Sequence, residues 1–285
     1  MSKIAVIGIA GESVFLSIES FGKTGETVQA TGYHNELGGK GFNQAVAVSR
    51  YGEEVSFLCA CYSGDVECFT KTAEQNGIKA FFVGKRERSP YAVITTDKQG
   101  DNKVCVYRGA ELDEQDVELF AYEIKTADIL LINNEVPISV NERAVKIAKE
   151  NGVKVVLNPA PTRKYDKQFL GKIDLFTPNE HETDGLDDYQ NLIVTLGDKG
   201  CLIKSENKLI PAEKVKTVVD TTGAGDTFNG VLAACLASGC DLQAACKKTN
   251  VASAIKVRRK YILDSIPTRE EIENYLEQKN GQNVF

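Results

Sequence analysis

The stretch Asp220-Thr221-Thr222-Gly223-Ala224-Gly225-Asp226-Thr227-Phe228-Asn229-Gly230 decides how the chain is read. Ahead of it, Lys216-Thr217-Val218-Val219 reads as an apolar strand leading in. Behind it, Phe228, Val231, Leu232, Cys235 and Leu236 recur at helical spacing, and Gly239 follows as a C-terminal stop. The glycines therefore stand at the mouth of a helix. Gly223 and Gly225 let backbone amides converge without an intervening Cβ. Free amides and the positive end of the helix dipole favour an anion there, phosphate above all. Asp226 breaks that pattern, because a carboxylate repels phosphate and needs another task. Accepting a proton from an attacking hydroxyl is the most economical one. Asp in a first helical turn often does no more than cap, and Gly-x-Gly alone is a weak signal.

A second stretch, Gly38-Gly39-Lys40-Gly41-Phe42-Asn43-Gln44-Ala45, also opens a helix, which ends near Tyr51-Gly52. As a pair, the two segments resemble the N-terminal and C-terminal signatures of the ribokinase-like carbohydrate kinases, the PfkB family, and its ribokinase branch most. Gly25-Glu26-Thr27, Asn158-Pro159-Ala160-Pro161, Thr177-Pro178-Asn179-Glu180 and Thr195-Leu196-Gly197 fall in the family's order, so the resemblance spans nearly the whole chain. It implies an α/β fold: a doubly wound, mainly parallel sheet with a small β-sheet lid. Residues 1–12, 36–88 and 110–285 would form the nucleotide- and substrate-binding body, and residues 13–35 and 89–109 the lid.

Spacing alone points to the same architecture. Residues 4–7 are a continuous apolar run, as in a strand covered on both faces. From Thr126 onward strands and helices alternate, with strands at 128–132, 153–157, 173–176 and 192–196 and a helix over 140–151. Such alternation predicts a parallel sheet with ligands at its C-terminal strand ends. Residues 91–107 differ. Ala92, Ile94 and Thr96 alternate with Tyr91, Val93 and Thr95, Gln99-Gly100-Asp101-Asn102 turns, and Val104 to Tyr107 returns. That hairpin marks a separate small layer. Gly22-Lys23-Thr24 is no phosphate loop, since Ser17 stands where the first glycine belongs. Between Thr183 and Gln190 the chain is shorter than the family pattern, which has a helical insertion there.

The chain has 285 residues, with 34 basic and 40 acidic side chains interspersed, a net charge of −6. Nucleic acid and anionic membrane are poor partners for such a surface. An anionic nucleotide must be met by amides, Lys and metal against the overall sign. No run approaches the ~18 apolar residues of a membrane span. The N-terminal apolar run is too short for an export signal, and with eight cysteines this leads us to expect a cytoplasmic protein. Cys59, Cys61 and Cys68 lack a second pair at zinc spacing, and His34 and His181 lie far off in sequence, so buried inert thiols are expected.

The resemblance implies transfer of a phosphoryl group from ATP to a primary hydroxyl of a small sugar, ribose or a related one. Asp226 would be the base, and the amides of Gly223, Ala224 and Gly225 the anion hole. Gly39, Lys40, Asn43 and Glu135 match sugar-contacting positions, as do Gly11 and Ser13. Asn179, Thr195, Gly197 and Gly200 match nucleotide positions. Asn179 and Glu182 match a motif that holds Mg²⁺ largely through water. Taken alone, residues 179–182 suit a helix cap equally well. Potassium is implied at backbone oxygens of Asp220 and Thr222 and at Ser265, although Tyr261 and Ile262 stand where the family has a small Gly-Ala pair.

Gly11 and Ser13 also depart from the family, which carries Asn and Asp there, and Glu12 between them should point to the opposite face. This predicts weakened ribose binding and room beside Gly11 for a bulkier substrate. Nucleosides and other PfkB-type substrates therefore stay open. A non-catalytic sugar-binding protein is a third reading, against which the intact Asp226 argues. The open edges and apolar face of the lid predict a homodimer, with Val28, Ala30, Val93 and Cys105 as contacts.

Overall fold

A computed structural model describes residues 1–282. The chain opens with β1 (Lys3–Ile7), runs out along β2 (Gly11–Ile18) and returns through β3 (Ala30–Gly38). Helix α1 (Lys40–Tyr51), β4 (Glu54–Tyr62), α2 (Val66–Gln75) and β5 (Lys79–Lys85) follow. A hairpin of β6 (Tyr91–Thr96) and β7 (Asn102–Tyr107) comes next. Short helices α3 (Glu114–Leu119) and α4 (Ala121–Lys125) lead to β8 (Ile129–Asn133) and α5 (Ile138–Glu150). Then come β9 (Lys154–Asn158), α6 (Lys167–Leu170) and β10 (Leu175–Phe176). Three short strands, β11 (Ile193–Thr195), β12 (Cys201–Ile203) and β13 (Lys208–Ile210), form a meander. Helices α7 (Ala224–Ala237), α8 (Leu242–Lys256) and α9 (Arg269–Gln282) close the chain.

The central sheet is parallel throughout, in the order β10-β9-β8-β1-β4-β5. Its strands are apolar runs because both faces are covered. Ile4, Val6 and Phe57 point into one core with Phe42 and Val231, while Ala5, Ile7, Leu58 and Leu130 point into the other with Val140 and Ala144. Burial of these alternating side chains is what holds the layers together.

β1 pairs with β4 on one side and β8 on the other, so the chain winds away from it in both directions. The carboxyl ends of such strands open a crevice. Here the start of α1 fills its floor. A Cβ on Gly8 would lie 2.7 Å from both the Gly41 Cα and the Asn133 Nδ2, so the backbones of the Gly8 loop and α1 meet there beside the Asn133 side chain. Helix α7 crosses α1 as closely, since a Cβ on Gly230 would lie 2.4 Å from the Gln44 carbonyl oxygen.

A second, four-stranded sheet stands apart in the order β3-β2-β6-β7. β2 is antiparallel to β3 and parallel to β6, and β6 is antiparallel to β7. β2 begins at Gly11 and β3 ends at Gly38, and the two glycines are paired at the same end of the sheet. The hairpin is the one that the alternation at 91–107 predicts.

Several sequence expectations need correction. Lys216-Thr217-Val218-Val219 forms no strand. Val218 and Val219 are exposed, and the Val219 and Asp220 amides reach only the Val257 carbonyl. β-branched residues made this stretch look like a strand, but no sheet edge receives it. The strand expected over 192–196 is β11, which belongs to the antiparallel meander and touches the central sheet through the single bridge Phe176↔Leu192. Residues 179–182 form a turn, not a helix start.

Candidate active site

The mouths of α1 and α7 meet. Asn43 in the first turn of α1 donates from Nδ2 to Asp226 Oδ2 in the first turn of α7, at 2.8 Å. Asn43 is 3% exposed and Asp226 6%. The other amide atom of Asn43, Oδ1, is buried with no hydrogen-bond partner among the described residues. An unmet buried acceptor is costly unless a ligand donates to it. The pair thus marks a place for a hydroxyl next to a carboxylate.

Lys40 and Glu135 flank this pair. The Lys40 amide donates to Glu135 Oε2 at 2.9 Å, and the Glu135 amide donates to Asn133 Oδ1 at 3.0 Å. The carboxylate of Asp226 raises the Lys40 amine above its ordinary value, and Glu135 and Glu182 add to this against the cost of burial. Lys40 thus lies in the field of three carboxylates. Burial pushes the Glu135 carboxyl up to about 7, with Lys40 opposing and Asp226 adding. Gly39, in the left-handed region at φ 102°, presses on the Ile9 carbonyl, and its own oxygen accepts the Asn43 amide.

At α7 the amides of Gly225 and Asp226 find no acceptor within the described protein, as expected for an anion hole. The Ala224 amide does not join them: it donates to the Thr221 carbonyl at 3.1 Å. Gly223 precedes the helix at φ 76°. The α7 mouth is therefore open through Gly225 and Asp226, and Ala224 drops out of the expected donor set because it closes the preceding turn.

Behind the site runs a buried chain of amide side chains. Asn133 donates to Gln44 at 3.4 Å, Gln44 to Asn158 at 3.3 Å, and Asn158 to the Thr177 carbonyl at 3.1 Å. Thr177 donates to Asn229, which donates to the Gly225 carbonyl at 2.8 Å. Buried polar groups bonded at both ends fix geometry. This chain ties the ends of β8, β9 and β10 to both helix mouths.

On the side of the small sheet, Ser13 is buried against Gly38, and Gly11 is buried against Pro90. A Cβ on Gly11 would lie 2.1 Å from the Pro90 carbonyl oxygen. The expected room beside Gly11 is therefore absent: Pro90 fills it. Glu12 points to the opposite face, as period-2 alternation requires, accepts from Asn35 at 3.0 Å and lines a separate cavity of about 970 Å³ with Arg86, Arg88 and Tyr107. The sheet docks on the loop after α8. Glu36 accepts the Ile262 and Leu263 amides at 2.8 and 3.0 Å, and His34 stacks on Tyr261 at 3.7 Å between ring centres.

Asn179 and Thr195 bridge in parallel, and the Thr195 amide donates to the Pro178 carbonyl at 2.9 Å. Gly197 begins the tight turn that Gly200 ends, closed by the Leu196 amide on the Gly200 carbonyl. Glu182 Oε2 accepts the Asn179 amide at 3.0 Å. Among the described residues no group of three or more His, Cys, Asp or Glu lies close enough to cage a metal. Asn179 and Glu182 fit a hard ion that keeps most of its water.

The residues expected around potassium are bonded to one another. The Asp220 carbonyl accepts from Lys256 Nζ at 2.9 Å. The Asp220 carboxylate accepts the amides of Thr222 at 2.9 Å and Tyr261 at 3.0 Å. Ser265 Oγ bonds the carbonyls of Tyr261 and Ile262.

Comparison with known proteins fits this geometry. The model of the pfkB family carbohydrate kinases matches residues 1–269. The chain belongs to the pfkB family of carbohydrate kinases. It is thus a sugar kinase, and its central and small sheets are those of the family. It is 34% identical to the ribokinase of Haemophilus influenzae over 96% of this chain and 98% of that one. The deoxyribokinase of Salmonella typhi is 31% identical over 96% and 98%. Among solved structures, the ribokinase of Thermotoga maritima superposes with a TM-score of 0.86 at 32% identity, covering 97% of this chain and 100% of that one.

In this kinase the sequence placed Asp226, Asn43, Lys40 and Glu135 together, and the structure brings all four to one cleft. It missed Gln44, Asn158, Thr177 and Asn229 as a connected chain, although each lies inside a motif already quoted. It also missed Lys256 and Glu36. Both are charged side chains in otherwise apolar or alternating segments, and that was the available signal. All eight cysteines are free, and burial pushes the Cys59 and Cys61 thiols up, so they stay protonated, whereas Cys68, expected to be buried with them, is exposed.

Proposed function

We propose that this chain transfers the γ-phosphoryl group of ATP to a primary hydroxyl of a pentose, ribose or deoxyribose being the first candidates. The observation that carries this is the buried Asn43–Asp226 pair with its unmet Asn43 Oδ1, beside the open amides of α7. Asn43 Oδ1 accepts from a sugar hydroxyl. Asp226 takes the proton of the primary hydroxyl as its oxygen attacks phosphorus. The amides of Gly225 and Asp226, with Gly223, meet the charge that develops on the transferred group. Lys40 balances Asp226, Glu135 and Glu182, and Gly39 and Glu135 orient the sugar with Ser13. Thr195, Gly197 and Gly200 shape the nucleotide side. Asn179 and Glu182 hold Mg²⁺ through water, and the ion when bound neutralises phosphate charge. The expected homodimer through the small sheet is supported by the exposure of Val28, Ala30 and Cys105 and of Tyr33 and Tyr107, which leave apolar surface uncovered. Free thiols suit a cytoplasmic setting.

Substrates other than ribose deserve equal weight in the assay, because Gly11 and Ser13 supply one short hydroxyl where relatives in the family pattern carry two longer polar groups. A panel of ribose, deoxyribose, other pentoses, hexoses and nucleosides, assayed for ATP consumption and phosphorylated product, tests the reading. Turnover of a pentose with the highest kcat/KM supports it. Turnover of nucleosides alone, or binding of sugar without turnover, overturns it.

A further inference from the structure

Lys256 ends α8, yet its side chain is fully buried. A buried ammonium is costly unless its surroundings return the lost hydration. Here it forms no ion pair within contact distance among the described residues; its one described bond is to a backbone carbonyl, that of Asp220. Burial holds the Lys256 amine below its ordinary value, and the negative charges of Asp220, Glu36 and Asp226 oppose that fall. Each of these three groups serves the active site. Asp220 opens the glycine turn and holds the Thr222 and Tyr261 amides. Glu36 holds the small sheet to Ile262 and Leu263. Asp226 is the proposed base. A single charge thus lies under the point where the glycine turn, the small sheet and the loop after α8 join.

The same carbonyl is one of the oxygens expected to bind potassium, and the loop that should supply others carries bulky Tyr261 and Ile262. A Cβ on Gly223 would lie 2.8 Å from Ile262 Cγ2, so Ile262 packs directly on the glycine turn. A carbonyl that already accepts from an ammonium, in a loop packed this closely, leaves no free cage. The residues do not fit the monovalent ion that the resemblance implies.

We propose that the Lys256 ammonium is a built-in cation that takes the place of potassium, fixing the Asp220–Asp226 turn and adding positive charge beneath the anion hole. Lys256 is a positioning residue: it acts through the turn and touches neither sugar nor nucleotide. The proposal rests on the kinase reading for its effect on turnover but not for its effect on cation binding. The test uses the full chain in buffers whose only monovalent cation is tetramethylammonium, with and without potassium, for the wild type, Lys256→Ala and Lys256→Met.

Thermal unfolding reads cation binding without any need for activity. The wild type should show no stabilisation by potassium over tetramethylammonium. Lys256→Ala, with the ammonium removed and space opened, should gain such stabilisation, and Lys256→Met, which keeps the space filled, should not. In turnover, the wild type should be indifferent to potassium. Lys256→Ala should lose at least about tenfold in kcat, the scale of one charge acting at intermediate dielectric, with sugar KM little changed and kcat partly restored by potassium or ethylammonium. Potassium-specific stabilisation or activation of the wild type would overturn the proposal, whatever the variants do. So would a folded Lys256→Ala that keeps full kcat without potassium, or one that loses kcat without rescue by either cation. If Lys256→Ala does not fold, the wild-type cation response and the folded Lys256→Met decide between the same two outcomes. A chain that turns over no sugar counts against the kinase reading alone, and the unfolding arm still decides this one.

Discussion

The mouths of α1 and α7 are written in similar sequence, glycine-rich and ending in a polar side chain, and they are put to different use. At α1 the protein supplies its own anion, since the Lys40 amide is already bonded to Glu135. At α7 the amides of Gly225 and Asp226 have no internal acceptor. The carboxylate there, Asp226, is turned sideways to Asn43 of the other helix. A helix N-terminus is a general anion site; what decides its task is whether a neighbouring chain segment reaches it first. β8 runs into Asn133-Asn134-Glu135 and closes one mouth. Nothing among the described residues closes the other.

The sharpest way to break this contrast is to neutralise the open mouth's own carboxylate. Asp226→Asn should lower kcat by at least ~10²-fold, the scale of a lost general base, while ATP affinity measured by calorimetry survives. Retention of near-wild-type turnover would remove Asp226 from its proposed role. Next comes the contact that joins the two mouths. Gly230→Val would place a side chain where a single Cβ already falls 2.4 Å from the Gln44 oxygen. It should cost about 1–3 kcal/mol in denaturant unfolding, as overpacking does, and should lower kcat by separating Asn43 from Asp226.

The smallest expected effect concerns the closed mouth. Glu135 titrates near 7 in the folded chain, raised by burial above the ordinary carboxylate range. Below that pH it is protonated, so sugar KM should rise as pH falls through about 7. Glu135→Gln should raise KM by about tenfold at pH 8, the scale of a lost bond to a charged group, and flatten the profile. A raised carboxyl also makes the fold bind its proton more tightly than the unfolded chain does. Its contribution to stability is therefore full below the unfolded value and lost as pH rises through about 7. Glu135→Gln should shrink that loss in thermal unfolding measured from pH 5 to pH 8.

Both helix mouths were legible because their signals are local: glycine before a periodic apolar run, with a polar residue in the first turn. The parallel sheet was legible for the same reason, through runs such as Ile129–Asn133 and Lys154–Asn158. What escaped was set by residues far apart in the chain. Gly11 read as open space, yet Pro90 arrives from a different segment and fills it. Asp220 read as a metal-facing carbonyl, yet Lys256, 36 residues on, reaches it first. Ala224 looked like one more free amide, but the turn at Thr221 uses it. Residues 216–219 had the β-branched pattern of a strand and found no partner.

One junction has a mechanical consequence. β3 ends at Gly38 and α1 begins at Lys40, so Gly39 alone connects the small sheet to the helix that carries Lys40 and Asn43. The sheet is moored at its other contact by Glu36, gripping the Ile262 and Leu263 amides. Any tilt of the sheet relative to α1 must turn about Gly39 and strain that mooring. The hinge is one peptide away from the groups proposed to hold the sugar. On the lid reading, door and grip are one lever: swinging the sheet outward would loosen a bound sugar, and closing it would set Lys40 and Asn43 in place.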